Sequence, residues 1–329
     1  MDKRLNALRT WLQDTLDDRG IALTPASEDA SFRRYFRFNH GQQTLIAMDA
    51  PPEHEDIQAF MAVAHRLLGL GLNVPVVMAA DPDRGFLLTT DLGSATYLDH
   101  LNPVTADRLY GDALGALVVL QTGTFSDGPR FPAYDRGALL NEMELFREWY
   151  IPRYAGAQLS ARDHRMLDGT FGLLADSALE QPQVLVHRDY HSRNLMVCTD
   201  HNPGILDFQD AVTGAMTYDL VSLLKDCYIV WPDAQVTEWA LGYHDLARQS
   251  GLLAEVEEQR FLGWFDRMGV QRHIKVLGIF ARLFFRDGKA AYLDDIPVVH
   301  RYLLDATARH ADLSALHDLL ASVPPRRQP

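Results

Sequence analysis

The chain has 329 residues, of which 47% are hydrophobic, enough for a substantial core in two domains or in one two-lobed unit. Its formal net charge of −13 argues against non-specific binding of nucleic acid or of an anionic membrane surface. The only two cysteines, Cys198 and Cys227, exclude a disulfide framework. With no signal-peptide core and no apolar run long enough to span a bilayer, we expect a soluble cytoplasmic protein.

The N-terminal part of the chain predicts a small antiparallel sheet with two helices. Leucines at helical spacing indicate an amphipathic first helix, for which Gly20 is the expected C-terminal cap. Alternation of apolar and polar residues and the turn signals between them indicate hairpins. The predicted elements are a helix over 3–19, strands over 31–38 and 44–48, a helix over 53–68, and strands over 74–78 and 86–90.

After residue 90 the pattern is mainly helical. Helices are predicted over 107–121 and 271–286, and a loop over 126–135. We therefore expect a nucleotide-binding lobe over 1–90 and a helical lobe over 91–329 that carries the catalytic loop and the acceptor site. The terminal Pro-Pro-Arg-Arg-Gln-Pro stretch is expected to be disordered.

A hairpin within 184–224 interrupts the helical pattern and carries the chemistry. His187-Arg188-Asp189 follows a short apolar strand, Asn194 lies five residues after Asp189, and Asp207-Phe208 follows the hairpin's second half. This is the spacing of the kinase catalytic loop H-R-D-x-x-x-x-N and the metal-binding Asp-Phe pair.

The residue types in this hairpin suit phosphoryl transfer. Asp189 is the candidate base that orients an acceptor hydroxyl and takes its proton, while Asn194 and Asp207 offer the oxygen ligands that Mg²⁺ prefers. Aspartate and asparagine are also common turn residues. The complete set on one hairpin favours a kinase.

The hairpin, together with Tyr218-Asp219-Leu220, resembles the aminoglycoside phosphotransferase and choline kinase-like superfamily. That resemblance implies an α+β, two-lobed protein-kinase-like fold that uses ATP and Mg²⁺, with the nucleotide between the lobes and the backbone of 89–92 at the adenine. It also implies that Asp219 supports the catalytic loop, and we expect the same of His187; a helix-capping role for Asp219 is equally compatible.

Three further segments, 30–37, 48–52 and 271–283, resemble the bacterial anomeric N-acetylmuramate/N-acetylglucosamine kinases, and the match extends over nearly the whole chain. That resemblance implies ATP-dependent phosphorylation of the C1 hydroxyl of the sugar, in cell-wall sugar recycling. The residue patterns alone indicate only a small-molecule kinase.

Two features depart from kinase patterns on the nucleotide side. The expected phosphate loop, 28–31, is not glycine-rich, and the strand over 45–49 has no lysine, so Arg33, Arg34 or Arg37 is expected to supply that charge. Ordinary solvated arginines are an equal alternative for any one of them. The expected nucleotide-binding residues are Ser31, Phe32, Arg33, Arg34, Thr89, Thr90, Asp91 and Leu92.

The acceptor is expected near Asp189, gripped by polar residues close to the loop and by the helix over 271–286. Gln271, Lys275, Arg282 and Arg286 form a basic stripe on that helix, and an arginine or histidine there would suit the carboxylate of N-acetylmuramate. A solvated face, a structural histidine and core tryptophans are the alternatives. The candidates are His191, Arg193, Gln209, Asp210, Trp231, Arg272 and His273.

Two other functions stay open from the sequence. A kinase for another small alcohol, such as an aminoglycoside, choline or homoserine, would keep the same catalytic hairpin. A nucleotide-binding pseudokinase would explain the absent lysine, although Asp189, Asn194 and Asp207 are intact. The expected partners are ATP and a small sugar acceptor; the sequence does not fix the oligomeric state, with which a monomer is compatible.

Overall fold

The structure, a computed structural model, describes residues 2–27, 32–123 and 131–325. The helices are α1 (Lys3–Leu16), α2 (Ile57–Gly69), α3 (Tyr97–His100), α4 (Ala106–Thr122), α5 (Arg136–Leu145), α6 (Ala161–Leu179), α7 (Thr217–Leu224), α8 (Asp233–Gln249), α9 (Glu258–Asp287), α10 (Ile296–Ala308) and α11 (Ser314–Ser322). The strands are β1 (Thr24–Ser27), β2 (Arg34–His40), β3 (Gln43–Asp49), β4 (Val77–Asp81), β5 (Phe86–Thr90), β6 (Gln183–Val186), β7 (Leu195–Met196), β8 (Gly204–Ile205) and β9 (Val212–Ala215). A π-helical segment, Phe146–Ala155, continues α5, and 3₁₀ turns cover Ala290–Asp295 and Ala311–Leu313.

The chain forms two compact units. The first unit comprises the chain up to Thr105 together with Arg193–Asp210, and the second comprises Ala106–Ser192 and the chain from Ala211 onward. The first unit thus continues past residue 90, where the sequence analysis put the lobe boundary, and it includes the β7–β8 hairpin. The assignment of residues 1–90 to nucleotide binding, and of 91–329 to the catalytic loop and the acceptor site, stays a prediction.

A five-stranded antiparallel sheet of order β1-β2-β3-β5-β4 forms the centre of the first unit. Alternate residues of β2 and β3 face α1, so that Phe36, Phe38 and Leu45 share a buried core with Leu8 and Leu12 of the helix. The predicted strands and helices of this region are present, with ends shifted by a few residues, and β1 was not predicted.

The C-terminal end of α1 and the N-terminal end of α2 show why these helices have other bounds than predicted. Asp17 has a left-handed φ of 50° and donates its N–H to the carbonyl of Gln13, so α1 ends at Leu16 and the predicted cap at Gly20 is wrong. Asp56 accepts the N–H of Gln58 and thereby starts α2 at Ile57.

A fully buried carboxylate ties α1 to the sheet. Asp49, at the end of β3, accepts the Nε of Arg4 at 2.9 Å and the Nε of Arg34 at 3.1 Å, and Arg34 also pairs with Asp2. Two guanidinium groups on one carboxylate satisfy a charge that would otherwise be costly to bury.

The second unit is built around α9, a 30-residue helix that packs against α5, the π-helical segment, α6, α7 and α10. Gly278 permits a close approach to the end of α5, since a Cβ there would lie 2.4 Å from the backbone carbon of Leu145. Apolar residues of α9, among them Ile274 and Leu277, enter a hydrophobic core of this unit.

Across the parts of the chain that the structure describes, no helix is both long enough and apolar enough to cross a membrane. The two cysteines are free thiols.

Candidate functional site

The predicted catalytic loop begins where β6 ends, in the second unit. β6 pairs with β9, and the next peptide N–H groups, those of His187 and Arg188, donate to the two carboxylate oxygens of Asp219 at 2.6 and 3.0 Å. Arg188 has a φ of 78°, a left-handed conformation that costs a non-glycine residue about 1–3 kcal/mol and persists where neighbours enforce it. Asp219, fully buried in the first turn of α7, provides that enforcement.

The surroundings of Asp219 make its carboxyl group a weaker acid than usual. Burial raises its pKa to about 7, although the two N–H donors and the nearby Arg272 favour the carboxylate. The two donated hydrogen bonds therefore hold the loop with a group that titrates near neutral pH.

Further contacts fix the rest of the loop. The Nδ1 of His187 accepts the N–H of Asp189 at 3.2 Å, and Tyr190 donates its hydroxyl to the carbonyl of Ala113 at 2.8 Å. Ser192 donates both its N–H, at 3.0 Å, and its hydroxyl to the buried carboxylate of Asp226. Two acidic residues of one region, Asp219 and Asp226, thus anchor the two ends of the loop that contains Asp189.

The carboxylate of Asp189 lies in a positive environment. Its side chain is 45% exposed, and the Nη2 of Arg272 lies 3.9 Å from its Oδ1. Desolvation would raise the pKa of Asp189, but the charges of Arg272, His191 and Lys275 outweigh it and hold that pKa below the ordinary value. Asp189 is therefore ionised at neutral pH, as a base must be.

A buried polar cluster adjoins this loop and consists of Tyr134, Glu142, Arg188, Tyr218 and Lys275. Glu142 accepts the Nη2 of Arg188 at 2.7 Å, the Nζ of Lys275 at 2.9 Å and the hydroxyl of Tyr134, while Lys275 also donates to the Tyr218 hydroxyl at 2.9 Å. Burial opposes the ionisation of Glu142, yet Lys275, Tyr134 and Arg188 keep its pKa below normal. The carboxylate of Glu142 thus faces two cations, Arg188 and Lys275. A third cation, Arg272, lies beside Asp189.

Helix α9 supplies two of the predicted acceptor residues, and their surroundings differ. Arg272 donates to the carbonyl of Arg188 at 2.8 Å and stacks over Tyr218, so it stays at the catalytic loop. His273 is buried, stacks on Tyr302 and places its Nε2 3.1 Å from the carbonyl of Lys225. Burial lowers the pKa of His273 to about 3, so it carries no charge at neutral pH and does not fit the expected pairing with a carboxylate.

The predicted basic stripe of α9 is not one surface. Gln271 and Lys275 are buried and their amide and ammonium groups face the tyrosines of the polar cluster, whereas Arg286 is exposed and pairs with Asp287. Helical spacing could not identify what packs against each turn of α9.

Asn194 and Asp207 lie together in the first unit, at the base of the β7–β8 hairpin. The N–H of Leu206 donates to the carbonyl of Asn194 at 2.9 Å, which sets the Asn194 Nδ2 3.4 Å from the Asp207 Oδ2. Asp207 has a φ of 61°, a second strained backbone position at a predicted functional residue. The Nε2 of Gln209 also donates to Asp207 at 2.9 Å.

This pair offers a carboxylate and an amide, the hard oxygen donors that suit Mg²⁺. Among residues 2–27, 32–123 and 131–325, no group of three or more His, Cys, Asp or Glu side chains could hold a metal ion. Two protein ligands fit Mg²⁺, which usually completes its octahedron with water and substrate phosphates.

The predicted nucleotide-binding residues have distinct partners. Ser31 lies outside the described residues; Phe32 is 62% exposed and stacks on His54 with ring centroids 4.1 Å apart. Arg33 is buried beside Asp207, whereas Arg34 is held by Asp2 and Asp49.

The predicted linker begins in the sheet. Thr89 pairs with Ile46 and Val77 inside the ladder, and the Thr90 N–H donates to the carbonyl of Val76. Asp91 accepts Arg37, and the carbonyl of Leu92 lies 3.7 Å from the Cys198 sulfur. The adenine contact expected of these four residues stays a prediction.

The remaining acceptor candidates differ in accessibility. His191 packs edge-on against Tyr228, and its Nδ1 is buried with no hydrogen-bond partner in the described chain. Arg193 and Asp210 are exposed, and Gln209 is engaged with Asp207. Trp231 is buried and donates its indole N–H to the Tyr110 hydroxyl, and its role at the acceptor stays a prediction.

Sequence patterns did not indicate three acidic residues of the two units that contact predicted functional residues or the catalytic loop. Glu55 pairs with Arg33 in the first unit, and Glu142 and Asp226 hold Arg188 and Ser192 in the second. Each lies outside the recognised motifs, and each meets its partner across tens of residues of chain. A lone acidic residue gives no local signal for such a contact.

The chain is similar to known proteins in both sequence and fold. Residues 22–258 match the phosphotransferase enzyme family. The chain is 46% identical to the N-acetylmuramate/N-acetylglucosamine kinase of Pseudomonas aeruginosa over 98% of both chains, and 44% identical to the protein of that name in Pseudomonas putida over 98% and 97%. A choline/ethanolamine kinase family protein from Mesorhizobium loti superposes with a TM-score of 0.62 at 15% identity, over 96% of this chain and 99% of that one. The expected kinase-like fold class is confirmed.

Proposed function

This chain belongs to the phosphotransferase enzyme family, and we propose that it transfers the γ-phosphoryl group of ATP to the anomeric C1 hydroxyl of N-acetylmuramate or N-acetylglucosamine. The product would be the sugar 1-phosphate, an intermediate in cell-wall sugar recycling. The names of the two Pseudomonas relatives support an amino-sugar acceptor.

The observation that carries this proposal is the positive environment of Asp189. Arg272 and Lys275 act on its carboxylate, and Arg188 lies in the same loop with its side chain partly exposed. Such surroundings favour a neutral or anionic acceptor and oppose a cationic one. N-acetylglucosamine is neutral and N-acetylmuramate carries a carboxylate, whereas aminoglycosides and choline are cations.

The depressed pKa of Asp189 also suits an anomeric hydroxyl. A carboxylate of low pKa is a weak base, and general-base catalysis works best when the base and the donor are matched. Because an anomeric hydroxyl is more acidic than an ordinary alcohol, it needs less help. In the proposed step the C1 oxygen forms a bond to the γ-phosphorus, the bond from that phosphorus to the ADP oxygen breaks, and the hydroxyl proton passes to Asp189.

Asn194 and Asp207 are the residues that would hold Mg²⁺. The ion would neutralise charge on the ATP phosphates. Asp219, His187 and Asp226 hold the loop backbone, so that Asp189 needs no rearrangement before it accepts a proton.

A coupled assay for ADP release tests the proposal with a matched series of acceptors. We expect turnover with N-acetylmuramate, N-acetylglucosamine or both, none with their 1-O-methyl glycosides, and none with kanamycin, choline or homoserine. Faster turnover of a cationic acceptor would contradict the proposal. Tight ATP binding without turnover of any acceptor would favour a pseudokinase.

A further inference from the structure

The strand that carries a lysine in protein kinases, here β3, has none, and the structure distinguishes among the three arginines that could replace it. In protein kinases that lysine contacts the ATP phosphates and pairs with a glutamate of the neighbouring helix. The candidates are Arg33, Arg34 and Arg37, which lie just before β2 or within it.

Arg34 and Arg37 are committed to other carboxylates. Arg34 is held between Asp2 and the fully buried Asp49. Arg37 donates to both oxygens of Asp91, at 2.6 and 2.9 Å, and to the carbonyl of Gly93 at 2.7 Å. Two-pronged pairs of this length are strong and directional, so neither group can turn to a phosphate without losing them.

Arg33 has a different set of neighbours. Its side chain is only 9% exposed, its Nη2 lies 3.4 Å from the Asp207 Oδ1, and its Nε lies 3.7 Å from the Glu55 Oε2. Glu55 immediately precedes Asp56, the cap of α2, so its backbone is fixed by the start of that helix.

We propose that Arg33 is the phosphate-binding cation of this enzyme and that Glu55 is its positioning residue. The pair has the neighbours of the kinase lysine: a candidate metal-binding aspartate on one side and a glutamate at the neighbouring helix on the other. The inference rests on the proposed use of ATP but not on the identity of the acceptor.

The change from lysine to arginine has chemical consequences. A guanidinium is planar, always charged, and offers a fork of N–H groups that matches two phosphate oxygens, whereas an ammonium is a point charge on a flexible stem. Arg33→Lys is therefore expected to restore the charge but only part of the binding.

Calorimetric titration of the full chain, without any acceptor, tests the proposal. Arg33→Ala should weaken binding of MgATP and MgADP about ten- to a hundredfold, the loss expected for a hydrogen bond to a charged group, while adenosine binds as in the wild type. The affinity of Arg33→Lys for MgATP and MgADP should lie between those of the wild type and of Arg33→Ala. Arg19→Ala, which removes an exposed arginine of the same unit, should bind all three as the wild type does.

Glu55→Gln separates positioning from folding. It should weaken MgATP but not adenosine, leave the urea midpoint unchanged, and add nothing when combined with Arg33→Ala, since the glutamate acts through the arginine. Additive losses would overturn the role of Glu55. Wild-type MgATP affinity in Arg33→Ala, or an equal loss for adenosine, would overturn the role of Arg33. A wild-type chain that binds no ATP would instead refute the proposed function.

Discussion

The carboxylate of Asp226 should be a main determinant of both loop geometry and stability. It is buried, accepts the N–H and hydroxyl of Ser192 on one oxygen, and accepts the Tyr228 N–H at 3.0 Å on the other. Asp226→Ala leaves three donors without their acceptor, two of them on Ser192, which is fully buried. Hydrogen bonds to a charged group are worth roughly 1.5–3 kcal/mol each, but their losses are not additive.

We expect Asp226→Ala to cost about 3–5 kcal/mol of unfolding free energy, the range for breaking a buried charged network. Asp226→Asn keeps one acceptor and sets an amide against a donor, which should cost about 1–3 kcal/mol. Ser192→Ala removes only the hydroxyl and serves as the matched control, at about 1 kcal/mol.

Urea unfolding followed by circular dichroism measures these differences, with the slope checked for two-state behaviour because the chain has two compact units. In the folded Asp226→Asn variant kcat should also fall, because the loop that Asp226 anchors through Ser192 carries Asp189. A urea midpoint for Asp226→Ala at or above that of Ser192→Ala would show that the Asp226 carboxylate does not stabilise the loop.

Three other predictions concern the chemistry of the site. Asp189→Asn should lower kcat at least ~10²-fold, the low end for a general base, with ATP affinity by calorimetry nearly unchanged; near-wild-type rates would remove its assigned role. Asp207→Ala should abolish the Mg²⁺-dependent part of nucleotide affinity, and Asn194→Ala should weaken it. The control Asp83→Ala, at an exposed residue, should leave this affinity unchanged. An unchanged magnesium dependence in Asp207→Ala would exclude Asp207 as a ligand. Desolvation raises the pKa of Asp189, but Arg272 and its neighbours lower that pKa more. Arg272→Gln should therefore raise the pKa of Asp189 and move the acid limb of the kcat/KM profile to higher pH. An acid limb that stays in place would show that Arg272 does not act on the base.

Local sequence patterns predicted individual strands and helices. The alternation of β2 and β3, the leucines of α1 and the spacing from Asp189 to Asn194 all gave elements that the structure contains. β1 was missed because its sequence, Thr-Pro-Ala-Ser, lacks apolar alternation, and its proline is tolerated only because this is an edge strand.

Contacts between distant residues could not be predicted in this way. Arg33 and Asp207 are 174 positions apart, and Arg4 meets Asp49 across 45. His273 lies on a face whose spacing gave no sign of Tyr302 or of the Lys225 carbonyl, and these contacts determine its burial and its neutral state. Charge and helical spacing identify candidates, while packing decides which of them remain available to a ligand.

The position of the phosphate on the product sugar distinguishes an anomeric kinase from any other sugar kinase. Phosphorus–proton correlation NMR of the purified product, made from N-acetylmuramate or N-acetylglucosamine and ATP, identifies the proton coupled to phosphorus. We predict coupling to the anomeric proton and loss of the reducing end. Coupling to the C6 protons, with the reducing end intact, would contradict it.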